Sequence, residues 1–314
     1  MLGINSHVSA RFLAEKATEA TAEEFINLTK HVTELLANEN GTVGKLSITG
    51  KLVEAPPSGE AIIVGDLHGD LESLIHILKD SRVLEKLRKR QDVLLIFLGD
   101  YGDRGIHSPE VYYVILSIKS LFPENVILMR GNHEGPKDLV ASPHDLPDHL
   151  ERRFGNNGNQ VYEALRALFS QLYTGVIIKD RYLLIHGGFP TKATGIKNIA
   201  YAHRNYPRTT DLEEILWNDP RMGIKGTIAS NRGAGRLFGE DVTDRMLKMF
   251  NVKALIRGHQ AAPEGYLLYH SGRVLTIFSR KGAPYNNGHG AYLQLDFSRR
   301  LDALKQLLHS IHRF

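Results

Sequence analysis

The sequence predicts an α/β protein in which parallel strands carry a site at their C-terminal ends. Three observations predict it. Residues 92–105, DVLLIFLGDYGDRG, run from an apolar strand into a loop with two aspartates, an arginine and three glycines. The same layout of apolar run, polar ligands and glycine recurs at AIIVGDLHGD (61–70), NVILMRGNHEG (125–135), YLLIHGG (182–188) and VKALIRGHQ (252–260). Helical patterns alternate with the first of these strands, as βαβ units with right-handed crossovers require. A strand buried on both faces reads as a continuous apolar run, and open α/β sheets place ligands past its carboxyl end.

Taken in order, residues 9–40 predict a helix, with Thr21 as a cap, Glu24 reaching back to it, and Phe25, Leu28, Val32, Leu35 and Leu36 at helical spacing before Gly41 closes it. Residues 41–60, with PPSG at 56–59, predict a connector. Residues 1–58 are therefore expected to be a helical segment and connector packing on one globular unit over residues 59–314. After GDLHGD, Leu71, Leu74, Ile75 and Leu78 mark an amphipathic helix. Ser108 as a cap, Pro109 in the first turn, and Val111, Val114, Ile115 and Ile118 predict the next one. Residues 136–160, rich in proline and ending in GNNGN, predict a loop with one short helix near DHLERRF. Helix follows at VYEALRALFSQL and at DLEEIL. Four strands close in sequence, VKALIRGH, EGYLLYH, RVLTIFS and AYLQLDF, predict an antiparallel C-terminal part. A last helix over LDALKQLLHSIHRF has Leu301, Leu304, Leu308 and Ile311 as its stripe.

Composition narrows the function. The 314 residues carry no cysteine, which excludes a disulfide framework, thiolate-held zinc and a thiol nucleophile. Net charge is +4, from 39 basic and 35 acidic residues, too mild to point to nucleic acid or an acidic membrane surface. No apolar run approaches the roughly 20 residues of a membrane span, and MLGINSHVSARF has neither a secretory core nor a myristoylation signal. A cytoplasmic protein is the expectation.

The five strand ends together offer Asp66, His68, Asp100, Asn132, His133, His186 and His259. Oxygen and imidazole ligands without thiolate suit Mn, Fe or Zn. A pair of such ions about 3.5–4 Å apart needs about six or seven groups of this kind, one of them shared. The competing explanation is five unrelated strand ends whose polar residues satisfy exposed backbone.

In order, GDLHGD, GDYGDRG, RGNHE, HGG at 186–188 and GH at 258–259 resemble the signature of the PPP family of serine/threonine phosphoprotein phosphatases. WNDP at 217–220, NRG at 231–233 and GHQ followed by EGY at 264–266 resemble further motifs of its protein phosphatase 1 and 2A branch. The likeness spans residues 60–285. It implies a calcineurin-like metallophosphoesterase fold, a central β-sandwich flanked by helices, with residues 59–314 as the catalytic domain. It further implies that Asp66, His68 and Asp100 hold one divalent metal and Asp100, Asn132, His186 and His259 another, with Mn as the metal in vitro and Fe or Zn as substitutes for it. Direct attack by a metal-activated water would then hydrolyse phosphoserine and phosphothreonine esters. His133 would protonate the leaving alkoxide, Asp103 would hold His133, and Arg104 and Arg232 would grip the phosphate. Phosphoprotein substrates and a regulatory subunit are the implied partners, without nucleic acid or membrane.

Departures mark the limits of the likeness. The family's tyrosine near the phosphate follows a strand ending FS, and FSRKGAPYNN sets Tyr285 two residues later. Residues 136–160 differ from the eukaryotic segment, so no substrate contact carries over there. Arg130 is expected to be structural, and of the remaining histidines only His289 is a candidate neighbour of the cleft. A dinucleoside polyphosphate hydrolase shares the metal motifs but is not expected to have Asp103 or WNDP. The metal motifs are also compatible with a low-selectivity phosphatase, with a nuclease, which would need a basic, aromatic path for a strand, and with a catalytically silent scaffold.

Overall fold

The computed structural model describes residues 8–90, 92–297 and 307–314. Its strands are β1 (Gly41–Val43), β2 (Leu46–Thr49), β3 (Leu52–Ala55), β4 (Glu60–Val64), β5 (Val93–Phe97), β6 (Val126–Leu128), β7 (Gly175–Ile178), β8 (Tyr182–Leu184), β9 (Asp219–Pro220), β10 (Thr227–Ala229), β11 (Arg236–Phe238), β12 (Ala254–Arg257), β13 (Tyr266–Tyr269), β14 (Val274–Ile277), β15 (Ala291–Asp296) and β16 (Ile311–Arg313). Two large sheets result. One runs β16-β15-β4-β5-β6, and the other runs β1-β2-β3-β7-β8-β12-β14-β13. A small sheet, β10-β11-β9, sits apart from them.

In the first sheet β4, β5 and β6 are parallel, each fully buried. Helices Leu71–Asp80 and Ser108–Leu121 make their crossovers. The second sheet shows the sandwich by its alternation. Tyr182, Leu184, Ala254 and Ile256 join the core cluster shared with Ile63, Leu95 and Ile96 of the first sheet. Leu183 and Leu255, one residue out of phase, join a second cluster with Leu212, Ile215 and Met246 of helices Asp211–Trp217 and Glu240–Phe250. Period-2 side chains thus bury both faces, one against the other sheet and one under helices. A bridge from Asp66 to Phe278 brings the ends of β4 and β14 together, so the ligand loops of both sheets meet.

Several elements correct the sequence reading. The N-terminal helix is two, Ala10–Glu19 and Ala22–Asn38, because the capping box of Thr21 and Glu24 starts a new helix instead of sitting inside one. The connector of 41–60 contains β1, β2 and β3, and β3 pairs in parallel with β7. Ser108 is the first helical residue, with His107 as the cap, and its hydroxyl donates to Gly105 O at 2.6 Å. Among the C-terminal strands β12 is parallel to both β8 and β14, while β13 is antiparallel to β14. Leu301 and Leu304 of the last expected helix lie outside the described residues; Leu308 is exposed, and Ile311 opens β16, which pairs with β15. The short helix near DHLERRF is present as Leu146–Phe154.

Candidate functional site

The loops after β4, β5, β6, β8 and β12 converge as their spacing requires. Asp66, His68, Asp100, Asn132, His186 and His259 are all buried, none more than 6% exposed. His68 Nε2 lies 3.6 Å from Asp100 Oδ2 and 3.8 Å from Asp66 Oδ2. His186 Nε2 lies 3.4 Å from Asp100 Oδ1 and 3.0 Å from Asn132 Oδ1, and His259 Nδ1 lies 2.9 Å from that same amide oxygen. Asp100 belongs to both groups of side chains here that are close enough to hold an ion, one with His68 and His133 and the other with His186 and His259, one oxygen turned to each side.

Carbonyls fix the tautomers. His68 Nδ1 donates to Gly102 O and His186 Nδ1 to Leu98 O, each at 3.0 Å, so both Nε2 lone pairs turn toward the carboxylates. Lone pairs facing carboxylate and amide oxygens repel one another unless a proton or a metal cation lies among them. Asn132 presents the same problem, since its oxygen faces only acceptors, and only an amide turned over would offer them a donor. The residues therefore fit divalent metal ions. Electrostatics agree: burial and then Asp100 push the Asp66 carboxyl up to about 7. His186 is raised to about 9, where burial opposes the rise and Asp100 drives it, so that a proton on Nε2 relieves the same repulsion that a metal cation would.

The backbone is bent to make this cradle. His68, Asp100, Asp103, Arg104 and His259 all have positive φ, between 43° and 70°, a conformation L-residues adopt only when their surroundings over-determine it. Glu134 supplies part of that determination. Its fully buried carboxylate accepts from the backbone N–H of Asp100, Tyr101 and Gly131 and from the Tyr112 hydroxyl, at 2.7–3.1 Å. Two glycines give the carboxylates room, since a Cβ would stand 2.1 Å from Asp100 Oδ1 at Gly131 and 2.2 Å from Asp66 Oδ1 at Gly258.

Beside the cradle, His133 Nδ1 meets Asp103 Oδ2 at 2.5 Å, and its ring is edge-on to His68 with centroids 4.8 Å apart. Burial works against protonation of His133, but Asp100 and Asp103 outweigh it and raise its pKa. Arg104 donates to Pro143 O at 2.7 Å and Ser142 O at 3.3 Å, and its guanidinium faces Tyr285. Arg232 Nε bonds Asp219 Oδ2 at 2.7 Å, with its side chain 38% exposed. Asp219 is held from behind by the fully buried Arg257, Nη2 to Oδ1 at 2.8 Å.

Tyr285 reaches the site despite its offset. Its ring lies 5.4 Å from that of His68 and 5.0 Å from that of Phe278. The extra residues are absorbed by Arg280, which donates to His68 O at 2.5 Å, and by Lys281, whose N–H bonds Asp70 at 3.1 Å. Burial and then Asp66 push the Tyr285 hydroxyl up to about 12. Arg130 ties Glu134 O at 2.7 Å. His289 faces Glu264 and Arg313 at the surface, not the cleft.

Sequence reasoning missed Glu134, His144, Asp219 and Arg257. Three of them stand inside motifs already singled out, RGNHE, WNDP and IRGH. His144, which meets Asp103 Oδ2 at 2.8 Å, carries no local signal.

With this geometry in view, the relatives are informative. The calcineurin-like phosphoesterase family matches residues 61–263. A probable serine/threonine-protein phosphatase of Encephalitozoon cuniculi is 37% identical over 247 residues, 78% of this chain; the chain spans about half, 52%, of that relative's length. The serine/threonine-protein phosphatase 4 catalytic subunit of Saccharomyces cerevisiae is 32% identical over 237 residues, covering 74% of this chain and 73% of its own. A serine/threonine phosphatase structure from the same yeast superposes with a TM-score of 0.73 at 23% identity, over 98% of this chain and 96% of that one, and shares its fold. Among the described residues no helix is long and apolar enough to cross a membrane. The chain belongs to the calcineurin-like phosphoesterases, in their serine/threonine-protein phosphatase branch.

Proposed function

We propose that the protein hydrolyses phosphoserine and phosphothreonine monoesters of proteins with two divalent metal ions. The observation that carries this reading is the His133–Asp103 pair, joined at 2.5 Å beside the shared carboxylate Asp100. An alkoxide is a poor leaving group, and a carboxylate-supported imidazole is what its departure calls for. Asp66, His68 and Asp100 would hold one ion, and Asp100, Asn132, His186 and His259 the other. Bound there, such a pair supplies Lewis acidity toward the phosphate and an activated water nucleophile.

The chain's own groups do the rest. His133 Nδ1–H is held by Asp103, so the Nε2 proton is the one given to the departing oxygen. Arg104 and Arg232 bind non-bridging phosphate oxygens with the N–H groups their present partners leave over. Tyr285, protonated near neutrality as an ordinary tyrosine is and held further from ionisation by burial, offers one more donor beside His68. Mn is the metal we propose for activity in vitro, and a phosphoprotein and a regulatory subunit are the proposed partners, in keeping with the catalytic-subunit relatives. A cytoplasmic location is proposed on the cysteine-free composition.

The test is kcat/KM for a phosphothreonine peptide against diadenosine tetraphosphate, with metal-stripped protein reloaded with Mn²⁺. Preference for the peptide supports the reading. Preference for the dinucleotide moves the function to phosphoanhydrides, and turnover of neither contradicts an enzyme of this class.

A further inference from the structure

Asp103 carries more than one imidazole. Its Oδ2 meets His133 Nδ1 at 2.5 Å and also His144 Nδ1 at 2.8 Å, while its Oδ1 accepts from Leu146 N at 2.6 Å. The second ring nitrogen of His144 lies 2.9 Å from the Tyr162 hydroxyl. Asp103 itself is 1% exposed and has φ +64°, so its side chain sits on a backbone that would not choose this conformation unaided.

The clamp comes from one segment. Residues 142–146 supply both His144 and Leu146, and Arg104 fastens that segment by donating to Pro143 O, to Ser142 O and, through its backbone N–H at 3.2 Å, to Asp145 Oδ2. A carboxylate oxygen accepts only, so both imidazoles give it an Nδ1–H. His144 is then left with Nε2 as acceptor for the Tyr162 hydroxyl proton, and His133 with Nε2–H for the leaving group. The chain Tyr162, His144, Asp103, His133 has one consistent direction of donors.

We propose that His144 is a positioning residue for the acid: by occupying the second lone pair of Asp103 Oδ2, it fixes the carboxylate plane that orients His133. The inference rests on the reading of His133 as the proton donor. Without His144 the Asp103 carboxylate keeps, among the described residues, the Leu146 tie besides His133 itself, and can rotate about it. The His133 ring then spends less time aimed at the leaving oxygen, and misplacement on this scale costs up to about 100-fold in rate. Only substrates that need the proton should register the change.

The experiment compares His144→Phe and His144→Asn with wild type on a phosphothreonine peptide and on para-nitrophenyl phosphate. Phe keeps a ring against Tyr162 but has no donor. For His144→Phe, kcat on the peptide should fall about 10- to 100-fold with KM within about twofold, while kcat on the aryl ester falls about threefold or less. His144→Asn places an amide N–H where Nδ1–H stood and should recover most of the peptide activity. Equal losses on both esters, or an Asn variant as poor as Phe, overturn the proposal. His133→Ala run alongside separates the two claims. If it too loses equally on both esters, the acid assignment fails and this inference with it; if it is selective and His144→Phe is not, only the inference fails.

Discussion

The cradle and the rim of the site are built to different standards. Cradle residues such as His186 and Asp100 are essentially inaccessible, and the Nε2 atoms of His68 and His186 are aimed by carbonyls of the strand-end loops. At the rim, the Arg232 side chain is 38% exposed and is tied through Nε to Asp219. The difference teaches that charge repulsion needs rigid containment while phosphate recognition needs reach. Four or more acceptors can be held together only by backbone that cannot relax. A guanidinium must instead follow a substrate.

Breaking the support of the cradle should have the largest effect. Glu134→Ala leaves four buried donors without a partner, which costs about 3–5 kcal/mol and releases the Asp100 loop. Chemical denaturation together with metal analysis should report lower stability and lost metal in the same variant. Next comes the acid, where His133→Ala should retain metal and lose about 10²–10⁴-fold in kcat on a phosphothreonine peptide, with a much smaller loss on para-nitrophenyl phosphate. At the rim, Arg232→Ala should lower kcat/KM by about 10²-fold while metal content and melting temperature hold, as expected of a group that acts mainly on phosphate. Metal loss in that variant would erase the distinction between cradle and rim. The smallest effect belongs to Tyr285→Phe, about 3- to 10-fold in kcat/KM for the loss of one hydrogen-bond donor.

The same contrast explains what the sequence could reveal. Each proposed metal ligand sits within a few residues of a strand end, so apolar run, polar side chain and glycine appear together as a local pattern. The supports act across distance: Arg257 reaches back to Asp219 and His144 to Asp103, and nothing local marks either pairing. Strands β1 to β3 have three or four residues each, too few for a period to show between their glycine turns, which is why 41–55 read as connector. Thr21 shows the opposite failure, since its capping pattern is plain in the sequence while the helix break it implies is easily passed over. Counting residues misplaces Tyr285, because the path through Arg280 and Lys281 takes up the slack in three dimensions.

We propose that six strand-end residues make one cradle for two ions, divided by Asp100. Metal analysis of the wild type and of Asp100→Ala, after stripping and reloading with Mn²⁺, tests it most directly. Two ions per chain in the wild type and no more than one in the variant is the predicted result. An Asp100→Ala protein that still holds two would contradict the shared carboxylate and everything that depends on it.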